Sequence, residues 1–339
     1  MIDRASRALA TAAVHRLEGS EHAAALETVG RGALANDAAI RLEHLAEALA
    51  AGHVELLRLD LAWLAATYRA RGAELDVVRA LLDAVVAELG ESLPDEAGRH
   101  AADTLSGALD ELDRPHELTS ELEDDSHPAV ELARELLLAA LEGRRRDAET
   151  LVLDAHESGL SLDVLHQTVI GSVQVELGLM WQRGDIHVAE EHLSSRIVES
   201  ALTLLRRRIE PAPANGRALL VASVPGNLHE IGARMVADRF EAAGWRALFL
   251  GANTPSEDLA HAARDFEVDL VALSSGITLN VRQTASMIAK LRDADYTGPI
   301  LVGGRPFALI EGLWKTVGAD ATASNPLEAL DIGARLVGE

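Results

Sequence analysis

Apolar residues in the first 210 positions recur every three or four residues. The segments AELDVVRALLDAVVAELG and PAVELARELLLAALEG show this spacing, and Ala, Leu, Glu and Arg dominate around them. This spacing places the apolar side chains on one face of an α-helix. The pattern therefore predicts helices up to about residue 210, interrupted at 117–128 by a polar, aperiodic linker that ends in a proline.

From residue 217 onward the pattern changes to short apolar runs separated by amphipathic stretches. The runs are RALLVAS, RALFLG, VDLVALS, PILVGG and DATAS, and the first stretch between them closes at Gly244. These five runs with helices between them predict an open parallel sheet, either flavodoxin-like or Rossmann-like. In such sheets ligands bind at the carboxyl ends of the strands.

The two patterns together predict a multidomain chain. We expect an all-α N-terminal helical module at 1–120, a four-helix bundle at 127–210 and an α/β domain with a parallel five-stranded sheet at 216–339. The segment PAPANG at 211–216 has the proline and glycine content of a joint between the bundle and the α/β domain.

Composition excludes several classes of protein. The chain has 31 Lys and Arg against 54 Asp and Glu, and its formal net charge of -23 repels phosphate backbones, so direct nucleic-acid binding is not expected. It has no cysteine, which excludes disulfides, thiolate metal sites and thioether-attached chromophores. No uncharged run approaches the roughly 18 residues of a membrane span, and the N-terminus lacks the apolar core of a signal peptide. We therefore expect a cytoplasmic protein without membrane association.

The loop after the first predicted strand reads VPGNLHEIG and contains Asn227 and His229. A dinucleotide site would have G-x-G-x-x-G at this point. An imidazole above a sheet is a typical transition-metal ligand, and a side-chain oxygen two residues away can accept its second N–H. One histidine cannot hold a bare zinc ion, but it can be an axial ligand of a metal that a macrocycle already holds. The alternative is an Asn helix cap beside a solvated histidine.

Three stretches in the right order resemble the cobalamin-binding domain family over roughly the last 120 residues. They are Asn227-x-His229-x-x-Gly232, LSSGIT after the third strand and Gly303-Gly304 after the fourth. The resemblance implies a cobalamin cofactor with His229 as the lower axial ligand of cobalt. It also implies that the nucleotide tail of the cofactor is displaced and buried in the sheet domain.

The resemblance assigns further residues to that tail. Gly232 matches the position that leaves room for it, and Ser274 matches the serine whose hydroxyl meets the displaced base. Gly303 and Gly304 match the pair that lets the tail pass against the backbone. Thr278, in the same loop as Ser274, is expected to make another contact.

The sequence departs from the cobalamin-binding pattern at two positions. Asn227 stands where the family commonly has Asp, and Gly276 stands where it has Leu. A neutral amide can orient the imidazole but cannot raise its basicity as a carboxylate does, so we expect a weaker bond between cobalt and histidine.

The segment GLMWQRGDIHVAEEHLSS resembles the cap of adenosylcobalamin-dependent photoreceptors of the CarH type. In that family a tryptophan, here Trp181, covers the adenosyl group, and a Glu-His pair, here Glu191 and His192, contacts it. The alternative is a core tryptophan and a polar helix face. Gln182 stands where the family has the histidine that binds cobalt after light, so either His187 or His192 takes that position or water remains there.

The N-terminal segment differs from CarH-type regulators because it is acidic and has no basic recognition helix. A helical module followed by cap and cobalamin domain is similar in architecture to the photocobilins, which also carry biliverdin. Without cysteine, a bilin would be held non-covalently, with Arg69 and Arg71 beside Tyr68 pairing its propionates. An ordinary solvated cationic patch is the alternative. The other polar or aromatic candidates in this module are Trp63, His53, His100 and His116.

These expectations combine into one function. We expect a light sensor, not an enzyme, that binds adenosylcobalamin and forms a homo-oligomer whose assembly or partner binding changes in light. The main alternative is the corrinoid methyl-carrier protein of a methyltransferase system, which would leave the upper face of the cofactor open. A mutase would need a substrate barrel that the chain lacks, and a module that has lost the cofactor is the remaining alternative.

Overall fold

A computed structural model describes residues 2–93, 95–115, 118–123 and 127–338. Contacts divide the chain into two compact units, Met1–Glu117 and Leu118–Glu339. The predicted linker at 117–128 falls at this division, and its residues 117 and 124–126 lie outside the described residues, as does His116. Within the described ranges, no helix is long and apolar enough to cross a membrane.

The first unit is helical. The helices are α1 Ile2–Leu17, α2 Arg31–Ala51, α3 Glu55–Ala70, α4 Asp76–Ser92 and α5 Asp95–Ser106, with short helical turns at Ala23–Ala25, Leu26–Gly30 and Leu109–Asp113. The core forms where the apolar faces of α1 and α2 pack together and where α1 also packs on α4. Helix α2 ends at Gly52, which has a φ of 67°, a conformation that glycine adopts without steric cost.

A buried polar cluster lies between α2 and α3. The Asp60 carboxylate lies 2.8 Å from Nε of Arg41 and 3.0 Å from Nε2 of His44. Burial, reinforced by the charge of Arg41, lowers the pKa of His44 to about 3, so its ring is neutral. Burial also raises the pKa of Asp60 to about 7, although the charge of Arg41 opposes this. The cluster links the two helices through the contacts of Asp60 with Arg41 and His44.

The second unit begins with a helical bundle. After a short turn at Glu121–Glu123 come α6 Ala129–Leu141 and α7 Arg145–Glu157. The third helix has three consecutive pieces, which are Leu162–Val164, the π-helical turn Leu165–Gly171 and α8 Ser172–Arg183, and the fourth is α9 Val188–Arg206. A π-helical turn holds one more residue than an α-helical turn. The apolar faces of the four helices share one core.

A parallel sheet of five strands follows the bundle. The strands are β1 Ala218–Ser223, β2 Arg246–Phe249, β3 Leu270–Ser274, β4 Ile300–Gly303 and β5 Ala321–Ala323. They lie in the order β2-β1-β3-β4-β5. This is the flavodoxin-like order, in which the winding reverses between β1 and β3 and opens a crevice at their carboxyl ends. The helices are α10 Ile231–Ala242, α11 Ser256–Asp265, α12 Val281–Asp293, α13 Arg305–Leu309, α14 Leu313–Thr316 and α15 Pro326–Leu336, with a short turn at Thr278–Asn280. The predicted fold class, a helical region followed by a parallel α/β domain, is confirmed.

Helix α10 joins the sheet to the bundle. Met235 belongs to the bundle core, and Nε of Arg239 lies 2.7 Å from Oδ1 of Asp163, just before the π-helical turn. Two residues further along α10, Glu241 accepts from Nε of Arg206, at the end of α9, at 2.9 Å. The bundle and the sheet therefore belong to one compact unit.

Candidate functional site

The loop after β1 presents His229 at the carboxyl edge of the sheet. The His229 side chain is exposed, and its Nδ1 lies 3.2 Å from Oδ1 of Asn227, which is fully buried. An amide oxygen can only accept, so the hydrogen sits on Nδ1 and the lone pair on Nε2. The same oxygen accepts from the His229 backbone N–H at 3.2 Å. The loop thus fixes the imidazole in the form that binds a metal through Nε2.

The amide nitrogen of Asn227 donates two further hydrogen bonds. Nδ2 donates to the backbone carbonyl of Ser274 at 3.1 Å and to that of His229 at 3.3 Å. These contacts tie the histidine loop to the end of β3. A carboxylate could hold the imidazole equally well, but it has no hydrogen to give to two carbonyls.

Replacing Asn227 with Asp is expected to lower the free energy of unfolding by about 1–3 kcal/mol, because a buried carboxylate would face two carbonyl oxygens. Urea unfolding of the cofactor-free protein measures this change. The matched control is Asn253→Asp. Oδ1 of Asn253 accepts from the Gly226 N–H at 2.8 Å, and an aspartate keeps that acceptor, so the stability of this variant should change little. Equal stability of the Asn227 variant and the original protein would contradict this assignment.

Gly276 makes room for the pair formed by Asn227 and His229. A Cβ added at this position would lie 2.8 Å from Oδ1 of Asn227 and 3.1 Å from Nδ1 of His229. Both distances are shorter than van der Waals contact. The two departures from the cobalamin-binding pattern therefore touch each other, and the missing side chain at 276 is part of how this loop packs.

Exposed apolar side chains surround this edge of the sheet. Leu228, beside His229, is 72% exposed, and Leu250 and Ile277, in the loops after β2 and β3, are also exposed. Apolar groups at neighbouring strand ends form a surface suited to a ligand with a broad apolar face.

A cavity of about 590 Å³ lies between the carboxyl halves of the strands, the first turns of α10 and α15, and the bundle. Four of the residues predicted to contact the nucleotide tail line it together: Gly232, Ser274, Gly303 and Gly304. A Cβ added at Gly232 would meet no atom within 4 Å, so this glycine borders open space. Thr278 lies outside this wall, at the start of the turn Thr278–Asn280.

Gly304 is required by the geometry of the cavity wall. Its φ is 104°, and a Cβ there would lie 2.0 Å from the carbonyl oxygen of Ser275. The approach is fixed because the Ser275 N–H donates to the Gly303 carbonyl at 3.0 Å. At this point the wall is bare backbone.

His166, which the sequence analysis passed over, lines the same cavity from the bundle side. It belongs to the π-helical turn and is 1% exposed, and within the described chain neither of its ring nitrogens has a hydrogen-bond partner. Burial, reinforced by the charge of Arg239, lowers the pKa of His166 to about 3, so the imidazole is neutral. The available sequence signal was the polar triplet HQT inside an otherwise apolar stretch.

The cap residues lie at the adjoining ends of α8 and α9. Trp181 is half-buried and packs against the bundle core, two residues before α8 ends at Arg183. Glu191 accepts from Ser195 at 2.7 Å and pairs with Nδ1 of the exposed His192. The structure thus brings Glu191 and His192 into contact with each other, and it keeps Trp181 at the bundle surface.

Gln182 points away from solvent. It is 4% exposed, whereas the side chains of His187 and His192 are 87% and 73% exposed. The two histidines proposed as substitutes for the missing family histidine are therefore both accessible, and Gln182 belongs to the interior of the bundle.

The aromatic and cationic residues of the first unit already have partners inside it. Tyr68 donates to Asp37 at 2.9 Å, and Arg69 donates to the carbonyls of Leu112 and Arg114. The indole of Trp63 is partly exposed. A bilin propionate would have to replace the carbonyl contacts of Arg69 to pair with it.

Comparison with known proteins identifies two segments of the second unit. Residues 217–331 match the B12 binding domain family, and residues 132–206 match a second B12 binding domain model. The HTH-type transcriptional repressor CarH of Myxococcus xanthus is 31% identical over 182 residues, which are 53% of this chain and 60% of the repressor. This chain therefore spans less than two thirds of that relative's length.

Corrinoid proteins are also similar. The dimethylamine corrinoid protein of Methanosarcina barkeri is 22% identical over 59% of this chain and 94% of its own length. The structure of the Methanosarcina barkeri monomethylamine corrinoid protein superposes with a TM-score of 0.55 at 19% identity, over 61% of this chain and 99% of that one, which supports the fold.

The residues on the cavity and the loop fit cobalamin. The loop offers one imidazole lone pair beside exposed apolar side chains, and the cavity combines a glycine-lined wall with an orphaned buried imidazole. Together with the domain matches, these features support a cobalamin-binding family and a cobalt-containing cofactor for this chain.

Proposed function

We propose that this protein is a light sensor that holds adenosylcobalamin between the bundle and the carboxyl edge of the sheet. The observation that carries the proposal is the orientation of His229 by Asn227, at the position where the B12 binding domain family matches. The similarity of the chain to the CarH repressor over 182 residues, together with the CarH-type pattern of Trp181, Glu191 and His192, supports a sensor.

Adenosylcobalamin supplies a bond between cobalt and carbon that visible light breaks. His229 would hold the lower face of the metal through Nε2, while Asn227 keeps its ring in the required tautomer. Ser274, Gly232, Gly303 and Gly304 would enclose the nucleotide tail in the cavity. Trp181 would cover the adenosyl group, and the pair of Glu191 and His192 would contact it.

Absorption spectra test the cofactor and its response to light. We expect protein reconstituted with adenosylcobalamin in the dark to change its visible spectrum irreversibly after green light, because a released adenosyl group leaves the capped pocket. The matched variant is Trp181→Leu, which removes the cover and should alter the rate or yield of the change without removing binding. A spectrum that is insensitive to light would overturn the sensor proposal.

Light is also expected to change the assembly of the protein. Loss of a group packed under Trp181 would disturb the bundle surface on which it lies, and a changed surface alters association between copies or with a partner. Light scattering of the reconstituted protein, in the dark and after illumination, gives the molar mass. If both mass and partner binding are the same in the two states, the signalling role is wrong.

A corrinoid methyl carrier is the second candidate, and the similarity to methylamine corrinoid proteins favours it. The two candidates differ at the upper face of the cofactor, which a carrier must expose to a partner enzyme. The test loads the protein with methylcobalamin. Transfer of the methyl group to an acceptor in the dark, with a molar mass that does not change in light, would support the carrier.

The first unit is proposed to hold a second, non-covalent chromophore of the bilin class. The support is architectural, since a helical unit precedes the bundle and the sheet, and a propionate would have to displace the internal contacts of Tyr68 and Arg69. Biliverdin mixed with the protein should give a red-shifted band that co-elutes on gel filtration and is released by denaturant. Biliverdin that elutes free while cobalamin stays bound would show that the first unit has another role.

A further inference from the structure

The wall of the cavity that the bundle contributes is polar, unlike the glycine-lined and apolar wall of the sheet. Glu121, His127, His166 and Ser172 all face the cavity. Most of these groups are already occupied, since Ser172 donates to Glu121 at 2.9 Å and Nδ1 of His127 accepts from the Ala129 N–H at 3.1 Å. They hold the short turn Glu121–Glu123 and the start of α6 in place.

His166 differs from these neighbours. It is almost fully buried, and both of its ring nitrogens lack a partner within the described residues. Burying an imidazole in this way costs free energy that a leucine at the same position would not cost. A polar group without a protein partner on a cavity wall can bond to whatever fills the cavity, whether water or a ligand.

The π-helical turn carries this ring. His166, Gln167 and Thr168 all belong to this turn, and all three line the cavity wall. The turn is tied to α10 because Asp163, just before it, pairs with Arg239 at 2.7 Å. The bundle therefore presents His166 opposite the wall that Ser274 and Gly303 form.

We infer that His166 binds the nucleotide tail of the cofactor by a hydrogen bond to an oxygen of its ribose phosphate. This inference rests on the proposed binding of cobalamin. A neutral imidazole has one donor and one acceptor, which suits either a phosphate oxygen or a ribose hydroxyl. The tail is thus recognised from two sides, by the sheet domain through backbone and Ser274 and by the bundle through His166.

The test compares two ligands that differ only in the tail. Adenosylcobalamin and adenosylcobinamide, which lacks the nucleotide, are titrated in the dark into the full chain and its variants. His166→Leu should weaken adenosylcobalamin about tenfold, the effect of one lost hydrogen bond, and leave adenosylcobinamide unchanged. His166→Gln keeps a donor and an acceptor and should recover part of the loss.

Thermal unfolding of the cofactor-free variants provides the second readout. His166→Leu should melt at the same temperature as the original protein or higher, because it removes the orphaned polar group. If His166→Leu weakens the binding of both ligands equally, or of neither, the proposed role of His166 is wrong, although cobalamin binding itself is not contradicted. If the unchanged protein binds neither ligand, the proposed function fails and this inference fails with it.

Discussion

Replacing His229 with alanine is expected to weaken adenosylcobalamin binding by at least about 100-fold, because the ligand proposed for the lower face of cobalt would be lost. The remaining bound cofactor should show the spectrum of the form ligated by its own base or by water. The side chain is exposed, so the fold should persist. Titration in the dark, followed by absorption, measures both effects.

The matched control is His261→Ala, which removes another exposed histidine of the same domain, on α11. This variant should bind the cofactor as the original protein does. An unchanged affinity and spectrum for the His229 variant would eliminate it as the cobalt ligand, and the orientation by Asn227 would then serve only the loop.

Replacing Gly304 with alanine is expected to lower the free energy of unfolding by about 3 kcal/mol or more. The added Cβ would lie 2.0 Å from the Ser275 carbonyl oxygen, at a φ of 104° that side chains rarely adopt. The strand pairing beside it resists relaxation, because Ser275 donates to the Gly303 carbonyl. Cofactor affinity should fall as well, since the displaced backbone forms the cavity wall.

Gly312→Ala separates the two causes of this loss. Gly312 also has a positive φ, 77°, but a Cβ there would meet nothing within 4 Å. This control should therefore cost only the left-handed backbone conformation, about 1–2 kcal/mol. Urea unfolding of both variants measures the difference, and equal losses would mean that the contact with Ser275 has no effect.

The strands of the sheet were predictable because each is a short apolar run between helical segments. Their order was not, since an apolar run carries no information about which strand lies beside it. The flavodoxin-like order depends on the pairing of β1 with both β2 and β3, and this was decided only by the structure.

The contacts within local motifs of the site were predictable from the sequence, and the contacts between distant segments were not. The spacing of Asn227 and His229 indicated a hydrogen bond between them, and the structure has it. The close approach of Gly276 to that pair joins two different loops, so no local sequence pattern predicts it. The π-helical turn that carries His166 likewise depends on packing between helices, and Arg69 is engaged by carbonyls more than 40 residues away.

Helix α10 has a mechanical consequence that follows from its place in the unit. Its first turn borders the cavity at Gly232 and its last two turns hold the bundle through Arg239 and Glu241. A helix of 12 residues is a stiff rod about 18 Å long, so its two ends cannot move independently. A ligand in the cavity would therefore press on the same stiff element that fixes the spacing between bundle and sheet.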